Sequence, residues 1–109
     1  MGRTPLTPHL LELIAERFKA LGEPTRLRIL AVLMDGTRTV GELVDGTGLS
    51  QANVSKHLRV LYGLGFVERQ RDGLYVRYRL ADEDVFALCD LMCGRIEREH
   101  LQRGRLIRA

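Results

Sequence analysis

The chain has 109 residues, with 17 Lys and Arg, 14 Asp and Glu, and a formal net charge of +3. This length suits one compact core and is short for two domains, so we expect a single domain over residues 1–109. No apolar run approaches the roughly 18 residues of a membrane span, and the start lacks the pattern of a secretory signal. These features predict a cytoplasmic protein without a membrane partner.

Two helices are predicted in the first third of the chain. Residues 7–20 place apolar side chains at helical spacing, and Gly22 and Glu23 interrupt that pattern. Pro24 suits the first turn of a second helix over residues 24–34, where its missing N–H costs nothing. The positions that we expect this second helix to bury are Leu27, Leu30, Ala31 and either Leu33 or Met34.

A helix-turn-helix is predicted next. A short helix over residues 40–44 is followed by a glycine-rich turn over residues 45–48. Ser50 can then cap a helix that extends to residue 61, because its hydroxyl can accept a backbone N–H of the first turn. The spacing of Val54, Leu58 and Leu61 predicts one buried stripe on this second helix. A short helix, a turn and a second helix in this order are typical of DNA-binding proteins.

The exposed side of this second helix has the chemistry of a major-groove reader. It carries no acidic residue; amides pair with adenine edges, and Arg and Lys pair with guanine or phosphate. We expect Gln51, Ala52, Ser55 and Lys56 to lie against bases or the groove edge, and Arg59 against phosphate. The full predicted DNA-binding set on this helix is Ser50, Gln51, Ala52, Asn53, Ser55, Lys56, His57 and Arg59. For His57, packing or a phosphate contact is favoured over metal binding.

After residue 65 the pattern alternates, which predicts a β-hairpin. Strands over residues 66–71 and 74–80 flank Asp72-Gly73, a dipeptide suited to a two-residue turn. This register pairs Arg71 with Leu74 and places Glu68 opposite Arg77. Four arginines make the hairpin basic, as expected of a wing on a DNA backbone, although a solvated surface hairpin is the alternative: Arg69, Arg71, Arg77 and Arg79.

The positive charge is concentrated in one part of the chain. Residues 50–80 contain six basic and two acidic side chains, whereas the remainder contains eleven basic and twelve acidic ones. The excess therefore falls on the predicted helix and hairpin, as a phosphate-facing surface requires.

A last helix is predicted over residues 82–101. Val85, Cys89, Met92 and Ile96 form an apolar seam along it, and such a seam usually packs on a partner helix. Together with the apolar first helix, it indicates a surface completed by a second subunit. We expect residues 1–6 and 103–109 to be flexible ends. The fold class is mainly α with a β-hairpin, a winged helix-turn-helix in the order α-α-α-α-β-β-α.

Three segments in this order resemble the ArsR/SmtB family of bacterial winged helix-turn-helix repressors. Residues 20–30 (ALGEPTRLRIL) are similar to the family's opening signature, residues 49–61 to its recognition helix, and residues 72–80 to its wing. The resemblance covers about residues 8–101. It implies a homodimer joined through the first and last helices, which binds a near-palindromic operator on double-stranded DNA and leaves it when an inducer binds.

The metal sites that the resemblance implies are altered in this chain. Thr39 and Gly41 stand where one class of sensor has a pair of cysteines, so that site is absent. The interfacial zinc site would fall at Asp82, Asp84, Arg95 and Arg98, where two cations would repel a divalent ion.

Cys89 and Cys93 are the remaining candidates for sensing. They lie four residues apart on one helix, with His100 as a candidate third ligand. Two thiolates suit a thiophilic metal or metalloid ion, or oxidation. The alternative is that both cysteines are packing residues, because unpaired cysteine often behaves as a small apolar side chain. No other cofactor is indicated.

The sequence therefore predicts a DNA-binding transcriptional regulator, a repressor released by an inducer. Two alternatives stay open: a winged helix that binds proteins, and a constitutive regulator without a ligand site. An enzyme is disfavoured, because the chain lacks a phosphate loop, a nucleophile motif and the C-x-x-C spacing of redox proteins.

Overall fold

The computed structural model describes residues 5–102 as five helices and one three-stranded antiparallel sheet. The elements are α1 (Pro8–Leu21), α2 (Pro24–Leu33), β1 (Arg38–Thr39), α3 (Val40–Thr47), α4 (Gln51–Gly63), β2 (Val67–Asp72), β3 (Tyr75–Leu80) and α5 (Glu83–Gln102). The predicted winged helix-turn-helix order is confirmed, and β1 is an addition to it. Most of the predicted flexible ends, residues 1–4 and 103–109, lie outside the described residues. Within residues 5–102, no helix combines the length and apolarity that crossing a membrane requires.

Side chains cap the starts of all five helices. Thr7 Oγ1 accepts the N–H of Leu10 at 3.1 Å before α1, and the Glu23 carboxylate accepts two N–H groups of the first turn of α2. Thr39 caps α3 in a reciprocal capping box, and Asp82 Oδ1 accepts two N–H groups at the start of α5. Since the first N–H groups of a helix have no partner within it, these caps fix where each helix begins.

The core lies between α2, α3 and α4. Its fully buried side chains are Ile29, Leu30, Leu43, Val54, Leu58, Leu61 and Val67. The predicted stripe on α4 is confirmed, whereas the expected burial of Leu27 and Ala31 is wrong: Leu27 is 42% exposed and Ala31 is also exposed. Apolar residues occur almost all round α2, so their periodicity could not define its inward face.

The sheet differs from the predicted hairpin in two ways. β1 pairs with the edge of β3 that does not pair with β2, which gives the strand order β1-β3-β2. The register is also shifted, because Arg71 pairs with Val76 and Asp72 with Tyr75. The central turn residues are therefore Gly73 and Leu74, and only Gly73 has a positive φ, at +63°. A type II′ turn needs positive φ at its first central residue alone, which explains the difference.

Helices α1 and α5 leave most of their apolar side chains uncovered. Ala20 is the single buried residue of α1, and Val85 is that of α5. The rest of the predicted seam is accessible, with Met92 60% exposed. The Cα radius of gyration is 16.0 Å, compared with about 13 Å for a compact domain of this length. The chain thus extends two apolar helices away from its core.

Candidate nucleic-acid interface

The turn between α3 and α4 is held by a small polar network. Gly48 ends α3 in the left-handed region with φ +74°, so α3 extends to Thr47 and past the predicted end at residue 44. Thr47 Oγ1 donates to the Leu43 carbonyl at 2.6 Å and accepts the N–H of Leu49 at 3.2 Å. From α2, Arg28 donates to the Thr47 carbonyl at 3.5 Å. These bonds set the angle at which α4 leaves the turn.

The start of α4 presents a polar and basic surface to solvent. Ser50 Oγ accepts the N–H of Asn53 at 3.2 Å, so this hydroxyl is used as the cap. Apart from His57, every side chain of the predicted set is at least partly accessible. We call the residues beyond the cap the recognition face: Gln51, Ala52, Asn53, Ser55, Lys56 and Arg59. The fully buried stripe lies beneath this face and anchors it to the core.

His57 does not belong to the recognition face, so its place in the predicted DNA-binding set is corrected. Its residue exposure is 9%, and its Nδ1 accepts a hydrogen bond from Arg26 Nε at 3.2 Å. A carboxylate oxygen of Glu23 lies 3.8 Å from the same Nδ1. The imidazole faces α2 because position 57 falls on the same side of α4 as Val54 and Leu58.

Arg26 is a positioning residue that sequence reasoning missed. Besides His57, its guanidinium donates to the Ala20 carbonyl at 3.2 Å, so one side chain joins α1, α2 and α4. Glu23 lies next to it, and N–H groups of Thr25 and Arg26 lower the pKa of the Glu23 carboxyl. The sequence does contain a signal for this role. Arg26 is a cation in the first turn of α2, and the first turn of a helix disfavours positive charge.

The four arginines of the wing, β2 and β3, lie on two opposite faces of the sheet. Arg77 Nε contacts Asp72 and an Arg79 nitrogen contacts Glu68, both at 3.0 Å, so each of these two arginines already has a carboxylate partner. The shifted register thus makes Arg79 the partner of Glu68, in place of the predicted Arg77. Within residues 5–102, neither Arg69 nor Arg71 is in an ion pair.

Arg69 links the wing to α4. Its guanidinium carbon lies 4.1 Å from the ring centroid of Tyr62, in the last turn of α4. A side-chain hydrogen bond with Tyr78 raises the pKa of Arg69, and Tyr62 adds to that rise. Nothing in the sequence singles out Tyr62 as a partner of the wing, because it is one aromatic residue on the flank of a helix. The contact places the positive charge of Arg69 against the last turn of α4.

Cys89, Cys93 and His100 lie on α5, far along the chain from the recognition face. Cys89 is half-buried, which raises the pKa of its thiol, and Cys93 is exposed. The Nδ1 atom of His100 is buried without a hydrogen-bond partner among the described residues. No group of three or more metal-binding side chains forms within residues 5–102. One chain therefore supplies two adjacent thiols and a separate imidazole.

Comparison with known proteins gives one consistent family. The family model "Bacterial regulatory protein, arsR family" matches residues 23–69. A probable mercury resistance operon repressor of Streptomyces lividans is 44% identical over 71 residues, which are 65% of this chain and 57% of that protein. This chain thus matches less than two thirds of that curated relative.

Two solved structures share the whole fold. A crystal structure of a Mycobacterium tuberculosis protein aligns with a TM-score of 0.81 and 38% identity, covering 89% of this chain and 97% of the other. A solution structure from Mycobacterium bovis is described as the homodimeric winged helix-turn-helix DNA-binding domain of a possible ArsR-family transcriptional regulator. It aligns with a TM-score of 0.79 and 35% identity, covering 94% of each chain.

Proposed function

The chain belongs to the arsR family of bacterial regulatory proteins, and on this premise we propose that it is a sequence-specific DNA-binding transcriptional regulator, acting as a homodimeric repressor in the bacterial cytoplasm. The observation that carries this proposal is the recognition face. It is an accessible surface of amide, hydroxyl and basic groups on a capped helix, with no carboxylate between residues 50 and 63. Such a surface matches the edges of bases in a major groove.

The contacts divide between bases and phosphates. Gln51, Ala52, Ser55 and Lys56 meet bases or the groove edge, because they lie near the start of α4, the end that enters the groove in helix-turn-helix proteins. Arg59, Arg69 and Arg71 hold phosphates. Arg77 and Arg79 contribute less than the sequence predicted, since each would first have to exchange a carboxylate partner for a phosphate.

A second copy of the chain covers α1 and α5. Their exposed apolar side chains include Leu11, Phe18, Leu91, Met92 and Ile96, more than a stable monomer usually leaves in contact with water. The Mycobacterium bovis neighbour is described as homodimeric. A dimer with two-fold symmetry presents two copies of α4, which reach successive major grooves when they lie about 34 Å apart.

Titration of the purified protein into duplex DNA from upstream of its own gene tests this function. Fluorescence anisotropy should show binding that is tighter than to unrelated DNA. If six to ten phosphates are neutralised per dimer, the affinity should fall by about 10³ to 10⁵ between 50 and 200 mM salt. Undetectable binding, or binding insensitive to salt, would favour a protein-binding winged helix.

We further propose that a thiophilic ion or an oxidant acts at Cys89 and Cys93 to release the DNA. Two thiols four residues apart lie on one side of α5, and the Streptomyces relative is named for mercury resistance. His100, with its unpaired Nδ1, is seven residues further on, about 10 Å along the helix. It could therefore join a shared ion only from the second subunit.

A double substitution tests this inducer site. Mercuric ion, arsenite and hydrogen peroxide are each added to the wild-type DNA complex and to the complex of Cys89→Ser/Cys93→Ser. At least one of these agents should release the wild type from DNA and leave the variant bound. Before any agent is added, both proteins should bind DNA equally. Equal release from both proteins would identify the cysteines as packing residues. If neither protein responds, the regulator is constitutive toward these agents.

A further inference from the structure

A basic groove runs along the flank of α4 that faces away from the wing. It has a volume of about 410 Å³ and lies between α1 and the last turns of α4. Tyr62 marks the wing side of α4, and Val60 and Leu64 lie on the opposite flank, where they form part of the groove floor. We call this feature the flank groove. Its lining residues are Glu16, Lys19, Ala20, Arg26, Arg59, Val60, Gly63 and Leu64.

The flank groove has two cations available for an anion. Lys19 of α1 and Arg59 of α4 are exposed and form no ion pair within the described residues. Arg26, the third cation, is already bonded to His57 and Ala20. Glu16 is the one carboxylate of the lining. A Cβ added at Gly63 would meet no atom within 4 Å, so the floor is uncrowded at this position.

We propose that the flank groove binds the sugar-phosphate backbone of the DNA strand on the side of the major groove opposite the wing, with Lys19 and Arg59 pairing with its phosphates. This rests on the DNA-binding function proposed above. An α-helix with its side chains is about 10–12 Å wide and a major groove about 12 Å, so both flanks of α4 come close to a phosphate strand. The wing occupies one flank and the flank groove occupies the other.

A backbone strand fits this groove better than a small anionic effector. Effector pockets enclose most of the ligand surface, whereas the flank groove is largely open to solvent. Its apolar floor and its two separated cations suit a polymer with alternating sugars and phosphates. Helix α1 then contributes both to DNA binding and to the subunit interface. Lys19 lies on its polar side with Glu12 and Glu16, away from Phe18 on its apolar side.

Three substitutions on one helix side test the proposal. Lys19→Gln removes the cation, Glu16→Gln removes the groove carboxylate, and Glu12→Gln changes the same residue type one turn outside the groove. Because each Lys19→Gln subunit neutralises one phosphate fewer, the salt slope of this variant should decrease by about 1.8 per dimer. Between 50 and 200 mM salt, the wild type should therefore lose about twelve times more affinity than this variant. Glu16→Gln should bind more tightly than wild type, and Glu12→Gln should match it.

A second arm changes the charge of the DNA. In the proposed dimer α1 lies at the subunit interface, so the phosphates that Lys19 contacts lie between the two half-sites. Neutral methylphosphonates at these positions should remove the difference between the wild type and Lys19→Gln. If Lys19→Gln keeps the wild-type slope on unmodified DNA that the wild type binds, the inference is wrong while the proposed function stands. Failure of the wild type itself to bind any DNA would instead overturn the function. A Lys19→Gln defect that persists on the neutralised DNA would also contradict the backbone contact.

Discussion

At the scale of single residues, Arg26 is a side chain that ties α4 to α1 and α2. It donates to His57 in the middle of α4 and to Ala20 at the end of α1, both at 3.2 Å. The sequence placed His57 in the predicted DNA-binding set, with packing or a phosphate contact as its favoured role. It could not reveal the partner, because 31 positions separate Arg26 from His57. The recognition helix is thus held by polar bonds as well as by apolar packing.

Arg26→Met should lower the free energy of unfolding by about 1–3 kcal/mol, since the partly buried His57 Nδ1 and Ala20 carbonyl lose their donor. Urea denaturation at fixed protein concentration measures the change. Arg17→Met is the matched control, because within residues 5–102 the exposed Arg17 side chain bonds only to its own helix, at Leu13. That control should stay within about 0.5 kcal/mol of wild type. Equal stability of both variants would show that the Arg26 bonds are dispensable.

At the scale of elements, the wing shows where sequence patterns lose precision. Alternating residues and Asp72-Gly73 were sufficient to predict a hairpin, but Asp72-Gly73 and Gly73-Leu74 are both acceptable turns. The choice between them changes which arginine faces which carboxylate, so the charges available for DNA could not be derived from sequence. β1 was missed for another reason, since its two residues are too few to show a period.

Two glycines at the ends of α4 and β2 should respond to alanine in opposite directions. Gly73→Ala forces a Cβ into the left-handed region at φ +63° and should cost about 1–2 kcal/mol. Gly63→Ala lies in a helix, where the new Cβ meets open space, and should stabilise by up to about 1 kcal/mol. Urea midpoints of the two variants measure this difference. A stabilising Gly73→Ala would contradict the turn described for the wing.

At the scale of the whole molecule, the sequence predicted most of the architecture and the reason for a second subunit. The apolar seam of α5 was visible as a period, and its exposure in the single chain follows from its position beyond the core. What sequence could not predict is the placement of α1 beside α4, because no periodicity reports a contact between distant helices. The flank groove arises from that placement.

A charge in the α5 seam should separate the subunits. Met92→Asp introduces a carboxylate at a site that is 60% exposed in one chain, so the chain still folds while an apolar interface loses its centre. Sedimentation equilibrium should give a dimer for the wild type and a monomer for this variant. Leu74→Asp, at a tip residue that is 94% exposed, should remain a dimer. A monomeric wild type would exclude the proposed interface.

Selection of bound sequences from a pool of random DNA duplexes shows whether two copies of α4 read DNA together. We expect enrichment of one near-palindromic sequence whose half-site centres lie about one helical turn apart, or a multiple of it, because the two copies read successive major grooves. Gln51→Ala should relax the preference at particular base pairs of each half-site and leave the spacing unchanged. Recovery of no common sequence, with the protein folded and dimeric, would contradict a role in reading DNA.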